Sequence, residues 1–104
     1  MNILFVCSRN EWRSPTGEAI YKNHPTIFAR SAGTSPSARI KINQQHTDWA
    51  EVIFVMEKRH LQLIERKFGN SVRQKTVILN IEDEYQYMDE ELINELKTKV
   101  APYL

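Results

Sequence analysis

The stretch NILFVCSRNEWRSP, residues 2–15, decides the fold. Residues 2–6 form a short apolar run that is typical of a buried strand, and polar residues follow this run directly. Ser14 can cap a helix and Pro15 suits the first helical turn, so a helix is expected over about residues 14–23. The stretch therefore predicts a strand, a loop and a helix, in that order.

The remaining chain continues this alternation of strand and helix. Further strands are expected at about residues 26–31, 51–56 and 76–79, and the middle one carries the continuous apolar run of a strand buried on both faces. Apolar residues at helical spacing predict one helix that ends at Gly69 and a last helix that Asp89 caps. These elements predict an α/β fold: a single three-layer domain with a four-stranded parallel sheet and helices on both faces. Such sheets bind ligands beyond the carboxyl ends of their strands.

Composition limits the partners and the compartment. The 104 residues suffice for one modest core, so a single domain over residues 1–104 is expected. Fourteen basic and thirteen acidic residues leave a formal charge of +1, which gives no signal for nucleic acid or a membrane surface. The opening apolar run is too short for a signal peptide, and no run reaches the roughly 18 residues of a membrane span. A single cysteine is most easily kept reduced inside the cell, so we expect a cytoplasmic protein, with its oligomeric state left open.

The loop after the first strand has the chemistry of an anion site. Five residues separate Cys7 from Arg13, and Ser14 follows directly. The helix dipole, the guanidinium and the hydroxyl all favour a thiolate at Cys7. Arg13 has the planar fork that pairs with two phosphate oxygens, and Asn10 tolerates the left-handed backbone of a nest of N–H groups. We therefore expect a phosphate loop after the first strand, formed by Ser8, Arg9, Asn10, Glu11, Trp12 and Arg13.

Four segments resemble, in the same order, the low-molecular-weight protein tyrosine phosphatase family: residues 7–14, 31–34, 52–56 and 81–85. The first is similar to the family's Cys-x-Gly-Asn-x-x-Arg-Ser loop, and the last is similar to its Asp-Pro-Tyr loop. The resemblance spans most of the chain. It implies a cysteine-dependent phosphatase that hydrolyses phosphate monoesters through a phosphocysteine intermediate, without metal or cofactor. The implied substrate is a phosphorylated protein or a small phosphoester.

The resemblance also implies catalytic roles for three matching residues. Cys7 would attack phosphorus, Arg13 would stabilise the equatorial oxygens, and Asp83 would protonate the leaving oxygen and then activate water. The residues alone do not single out Asp83 among its acidic neighbours. Asp89 stays open as an alternative acid, although a helix cap is its simpler role.

Supporting roles follow from the same resemblance. Ser14 would hold the thiolate and assist its departure. Asn10 and Ser31 would hydrogen-bond the loop into shape, and Tyr85 would form a wall of the pocket.

The chain departs from the family pattern at two places. Arg9 replaces a glycine, which predicts either an extra basic contact or backbone strain in the loop. The segment 34–48 is shorter than in the family and lacks its additional helix and loop-supporting histidine. Residues 34–45 are expected to form a loop with room for one helical turn. His46 could replace that histidine, but a surface position is its simpler interpretation, and His60 is expected to be exposed or partly packed.

Three other functions share this type of loop. A non-catalytic module would bind phosphate or a phosphoresidue without turnover, if Arg9 has altered the loop. An arsenate reductase-like enzyme normally relays oxidation through further cysteines, and this chain has a single one. A phosphocysteine carrier of the sugar-transport type is less favoured, because Arg13 and Asp83 suit hydrolysis.

Overall fold

The computed structural model describes residues 1–104. Its strands are β1 (Asn2–Cys7), β2 (Phe28–Gly33), β3 (Val52–Val55) and β4 (Thr76–Ile78). Every pairing is parallel, and the strand order is β2-β1-β3-β4. The predicted four-stranded parallel sheet is therefore confirmed, and β1 lies inside it with a neighbour on either side.

Four helices cover the sheet: α1 (Arg13–Ile20), α2 (Gln44–Trp49), α3 (Lys58–Phe68) and α4 (Glu90–Val100). The predicted helix ends are confirmed at two positions. Gly69 terminates α3 with a φ of 96°, and the Asp89 carboxylate caps α4 by accepting the N–H of Glu91 at 3.1 Å. None of these helices combines the length and the apolar content that crossing a membrane requires.

The side chains of β1 point alternately into two cores. Ile3, Phe5 and Cys7 belong to the cluster that α4 and the end of α1 complete. Leu4 and Val6 belong to the opposite cluster, which contains the apolar side chains of α3. Each such side chain contributes about 1.5–3 kcal/mol through its burial, so a strand between two cores needs apolar residues at every position. The predicted helices on both faces are thereby confirmed.

The first helix and the second strand differ from their predicted bounds. β2 starts at Phe28 because its register pairs that residue with Asn2, at the start of β1. α1 ends at Ile20, and its first residue is Arg13, so Ser14 lies inside the first turn. The hydroxyl of Ser14 therefore caps no backbone N–H and is available to the neighbouring loop.

The loop expected at residues 34–45 leads into a helix that was not predicted, α2, which starts at Gln44. The isolated pairing of Gly33 with Lys41 extends the sheet edge, and α2 follows. The N-cap of α2 is reciprocal, because the Asn43 side chain accepts the N–H of His46 and the His46 ring accepts the N–H of Asn43. His46 thus has a local capping role in α2.

Candidate active site

A cleft of about 190 Å³ lies beyond the carboxyl end of β1. Its lining consists of Cys7, Ser8, Arg9, Glu11, Trp12, Arg13 and Asp83. Six of these residues come from the predicted loop and the residues flanking it, and Asp83 comes from the segment between β4 and α4. The topology brings the three predicted catalytic residues, Cys7, Arg13 and Asp83, to one cleft. Asp83 lies 76 positions after Cys7 in the sequence.

The backbone of the loop forms an anion nest. The carbonyl oxygens of residues 7–10 accept hydrogen bonds from the segment after β2, in which Thr34, Ser35 and Arg39 are donors at 2.9 to 3.0 Å. The N–H groups of residues 8–12, in contrast, donate to no acceptor in the protein. Carbonyls held from outside and unpaired N–H groups at a helix entrance are the arrangement that binds an anion.

The hydroxyl of Ser14 connects the cysteine with the loop. Its Oγ lies 2.9 Å from Sγ of Cys7 and accepts the Asn10 Nδ2–H at 2.8 Å. The hydroxyl hydrogen is then left for the sulfur, which is nearer than the other acceptor, the Ala32 carbonyl at 3.4 Å. Asn10 is fully buried and has a φ of 56°, so its predicted left-handed backbone is confirmed. The contacts of Ser14 and Asn10 fit the supporting roles expected of them.

Arg13 is buried beneath the cleft, with 2% of its side chain exposed. Its Nη1 donates to Oε2 of Glu57 at 2.6 Å and to the carbonyl oxygen of Ile81 at 2.8 Å. Its Nε lies 3.6 Å from Oδ1 of Asp83, which is a contact between charges and too long for a hydrogen bond. The guanidinium is therefore held on one side and presents its remaining donors to the cleft.

His60 is the histidine that supports the loop, and the expectation of an exposed or partly packed side chain is wrong. The ring is fully buried, and its Nε2 lies 2.9 Å from Oγ of Ser8. Nδ1 accepts the N–H of Glu57 at 3.0 Å, so the proton of the neutral ring is on Nε2, which donates to Ser8. Burial, together with the charges of Arg13 and Arg59, lowers the pKa of His60 to about 4. The ring is neutral at pH 7.

The two candidate acids occupy different places. Asp83 lines the cleft, while Asp89 is the N-cap of α4. Tyr85 does not line the cleft, contrary to its expected role as a pocket wall, because its ring packs against the core. A hydrogen bond to the Glu95 carboxylate raises the pKa of Tyr85 to about 12. The aromatic side chain at the cleft is that of Trp12, which is 43% exposed.

The structure also bears on two further loop expectations, for Ser31 and for Arg9, and the first is wrong. Ser31 is buried but donates to the Glu18 carboxylate in α1, so its hydrogen bond does not reach the loop. Arg9 has no left-handed φ, so the residue that replaces glycine causes no backbone strain of that kind. Its exposed side chain pairs with Glu11 at 3.1 Å at the rim of the cleft. Of the two alternatives predicted for Arg9, left-handed backbone strain is therefore excluded, and an extra basic contact to a bound anion stays a prediction.

Three residues that hold the site have no predicted role in the sequence, namely Glu57, His60 and Arg39. The first two follow β3 directly, at the sheet edge where ligands bind, so their position after a buried strand was the available signal. Arg39 lies in a segment without periodicity, and no sequence pattern marks it as a support for the loop.

No protein-family model and no curated protein matches the chain, whereas solved structures match it along nearly its whole length. The low-molecular-weight protein tyrosine phosphatase SP-PTP from Streptococcus pyogenes superimposes with a TM-score of 0.81 at 14% identity, over 99% of this chain and 93% of that one. The fold is thus that of the low-molecular-weight protein tyrosine phosphatases, as the sequence resemblance predicted.

Two more neighbours have different substrates in their names. The tyrosine phosphatase Wzb from Escherichia coli K30, in complex with phosphate, has a TM-score of 0.77 at 23% identity, over 98% of this chain and 94% of that one. The YwlE arginine phosphatase from Geobacillus stearothermophilus has a TM-score of 0.74 at 22% identity, over 98% and 91%. At these identities the likeness defines the fold.

Proposed function

We propose that the chain is a cysteine-dependent phosphatase that hydrolyses phosphate monoesters through a phosphocysteine intermediate. The observation that carries the proposal is the set of unpaired N–H groups of residues 8–12 around Cys7, with the guanidinium of Arg13 beside them. This set can bind three phosphate oxygens and leaves the sulfur in line to attack phosphorus.

The reaction has two steps with balanced bonds. Sγ of Cys7 attacks phosphorus, the bond from phosphorus to the ester oxygen breaks, and Asp83 gives its proton to that oxygen. Water then attacks the phosphocysteine, the bond between sulfur and phosphorus breaks, and Asp83 takes the proton of the water. Ser14 donates a hydrogen bond to the departing thiolate, which its distance of 2.9 Å supports.

The neighbours support this chemistry and leave the substrate class broad. A variant of YwlE that has serine in place of its cysteine carries a phosphate on that active-site serine. By analogy, a phosphorylated protein or a small phosphoester is the proposed substrate here. A nucleophilic thiol needs a reducing compartment, which supports a cytoplasmic location.

The test is the turnover of p-nitrophenyl phosphate without added metal. Cys7→Ser removes the nucleophile and is expected to abolish turnover, while Arg13→Ala and Asp83→Asn each reduce kcat by roughly a hundredfold or more. Asp89→Asn is the matched control, because asparagine caps a helix about as well as aspartate, and its activity should equal that of the wild type.

Two results would contradict the proposal. Equal rates for the wild type and Cys7→Ser would exclude a phosphocysteine. Vanadate binding by a wild type without turnover would indicate a phosphate-binding module instead. Loss of activity in Asp89→Asn together with full activity in Asp83→Asn would make Asp89 the general acid in place of Asp83.

A further inference from the structure

We infer that Glu57 is a positioning residue, which orients the Arg13 guanidinium for phosphate. The inference rests on the proposed function. Its basis is the contact of 2.6 Å between Nη1 of Arg13 and Oε2 of Glu57, at the base of the cleft.

The donors of Arg13 divide into two sets. Nη1 carries two hydrogens, and both have acceptors, namely the Glu57 carboxylate and the carbonyl oxygen of Ile81. The guanidinium is planar, so fixing Nη1 also fixes the direction of the edge formed by Nε and Nη2. That edge is the one left to bind two phosphate oxygens side by side.

Glu57 has a charge role in addition to this geometric one. A cation with 2% exposure needs a nearby anion, and the two carboxylates in contact with Arg13 are those of Glu57 and Asp83. Although partial burial works against it, hydrogen bonds from Arg59 and Arg13 lower the pKa of Glu57 to about 2, so Glu57 is ionised at working pH. Without Glu57, the 3.6 Å contact with Asp83 would be the one carboxylate contact left to the buried guanidinium, and nothing charged would fix the direction of Nη1.

Glu57 is itself well anchored. The preceding residue, Met56, donates its N–H to the carbonyl oxygen of Val6 beside the cysteine, at 3.0 Å. The N–H of Glu57 donates to the ring of His60, which holds Ser8. The start of α3 is thus tied to the loop by backbone and by side chain, and the carboxylate of Glu57 has a defined position.

The experiment compares Glu57→Gln with Glu65→Gln in kcat/KM and in inhibition by vanadate. Glu65 lies in α3, which Glu57 immediately precedes, and binds Arg73 at 2.9 Å, so its variant removes a carboxylate–arginine pair outside the cleft. Glu57→Gln is expected to lower kcat/KM by about tenfold to a hundredfold and to weaken vanadate inhibition similarly, as for a misplaced catalytic group. Glu65→Gln should match the wild type in both measurements.

A double-mutant cycle with Arg13→Lys tests whether Glu57 acts through Arg13. If it does, Glu57→Gln should change vanadate affinity by only about threefold or less in the Arg13→Lys background, because coupled effects do not add. An equal loss in both backgrounds, or a folded Glu57→Gln protein with wild-type constants, would overturn the inference.

If Glu57→Gln does not fold, Glu57→Asp retracts the carboxylate by one methylene and is expected to show the same loss at a near wild-type melting temperature. A wild type that binds vanadate without turnover would refute the proposed function alone, since vanadate affinity still tests Glu57.

Discussion

At the scale of single residues, the site depends on Asn10. Its backbone turns the loop with a φ of 56°, and its side chain donates to Ser14, whose hydroxyl faces the sulfur of Cys7. Asparagine suits the position because it tolerates the left-handed region and also carries an amide donor. One residue thus shapes the nest and orients the hydroxyl beside the sulfur of Cys7.

We predict that Asn10→Ala and Asn10→Gly separate these two roles. Alanine loses the hydrogen bond and adds strain at positive φ, so a destabilisation of about 2–3 kcal/mol is expected. The Asn10→Gly variant also loses the hydrogen bond, but glycine adopts the positive φ without strain. Its free energy of unfolding should therefore exceed that of Asn10→Ala by about 1 kcal/mol. Urea unfolding checks the order. Equal stabilities of the two variants would show that the backbone conformation carries no cost.

At the scale of elements, the end of β2 and the phosphate loop pack backbone against backbone. A Cβ at Gly33 would lie 2.5 Å from the Ser8 carbonyl oxygen and 2.6 Å from the Cβ of Ala38. The N–H groups of Thr34 and Ser35 hold the loop directly after this contact. The glycine of the Ser-Ala-Gly-Thr segment is therefore needed for close approach.

We predict that Gly33→Ala lowers kcat/KM by roughly tenfold or more, because the Ser8 carbonyl must move and the nest moves with it. Gly69→Ala is the matched control. It introduces a residue at a φ of 96° in open space, so it should cost about 1 kcal/mol of stability without changing kcat/KM. Steady-state kinetics and thermal unfolding of both variants check this. Wild-type kinetics in folded Gly33→Ala would contradict the packing argument.

At the scale of the whole molecule, the position of β1 inside the sheet lets both neighbouring strands hold the loop. The segment after β2 binds the carbonyl oxygens of the loop, and the segment after β3 binds Arg13 and Ser8. His60 belongs to the second segment and is neutral because it is buried. The stability of the molecule should therefore depend on the protonation of this ring.

We predict that acid unfolds the protein partly through His60. The unfolded chain protonates this histidine near pH 6.5 and the folded chain only near pH 4, so stability is lost as pH falls across that interval. Between pH 7.5 and 5 the loss amounts to about 2 kcal/mol. Glu57, with a folded pKa of about 2, contributes to acid unfolding only at lower pH.

Urea unfolding of His60→Gln at the same two pH values checks this prediction. The variant is less stable at pH 7.5, but its further loss at pH 5 should be smaller than that of the wild type. Parallel pH profiles of the wild type and His60→Gln would contradict the role of His60.

Periodicity and local chemistry accounted for the sheet, the faces it buries and the loop around Cys7. A continuous apolar run such as residues 3–6 is stable only as a strand between two cores. Cys7 and Arg13 lie in one short loop, so their proximity follows from the sequence spacing. The short α2 was missed because six residues carry too little period.

What the sequence determined by itself is therefore the fold class and the loop around Cys7, since both depend on neighbours along the chain. Tertiary structure alone decided the surroundings of that loop. Glu57, His60 and Arg39 contact residues of this loop from 44, 52 and 29 positions away along the chain, respectively. Tyr85, which was expected to line the cleft, packs instead against the core. The reason is physical: hydrogen bonds and burial depend on distances in space, which parallel strand pairing sets and spacing along the chain does not.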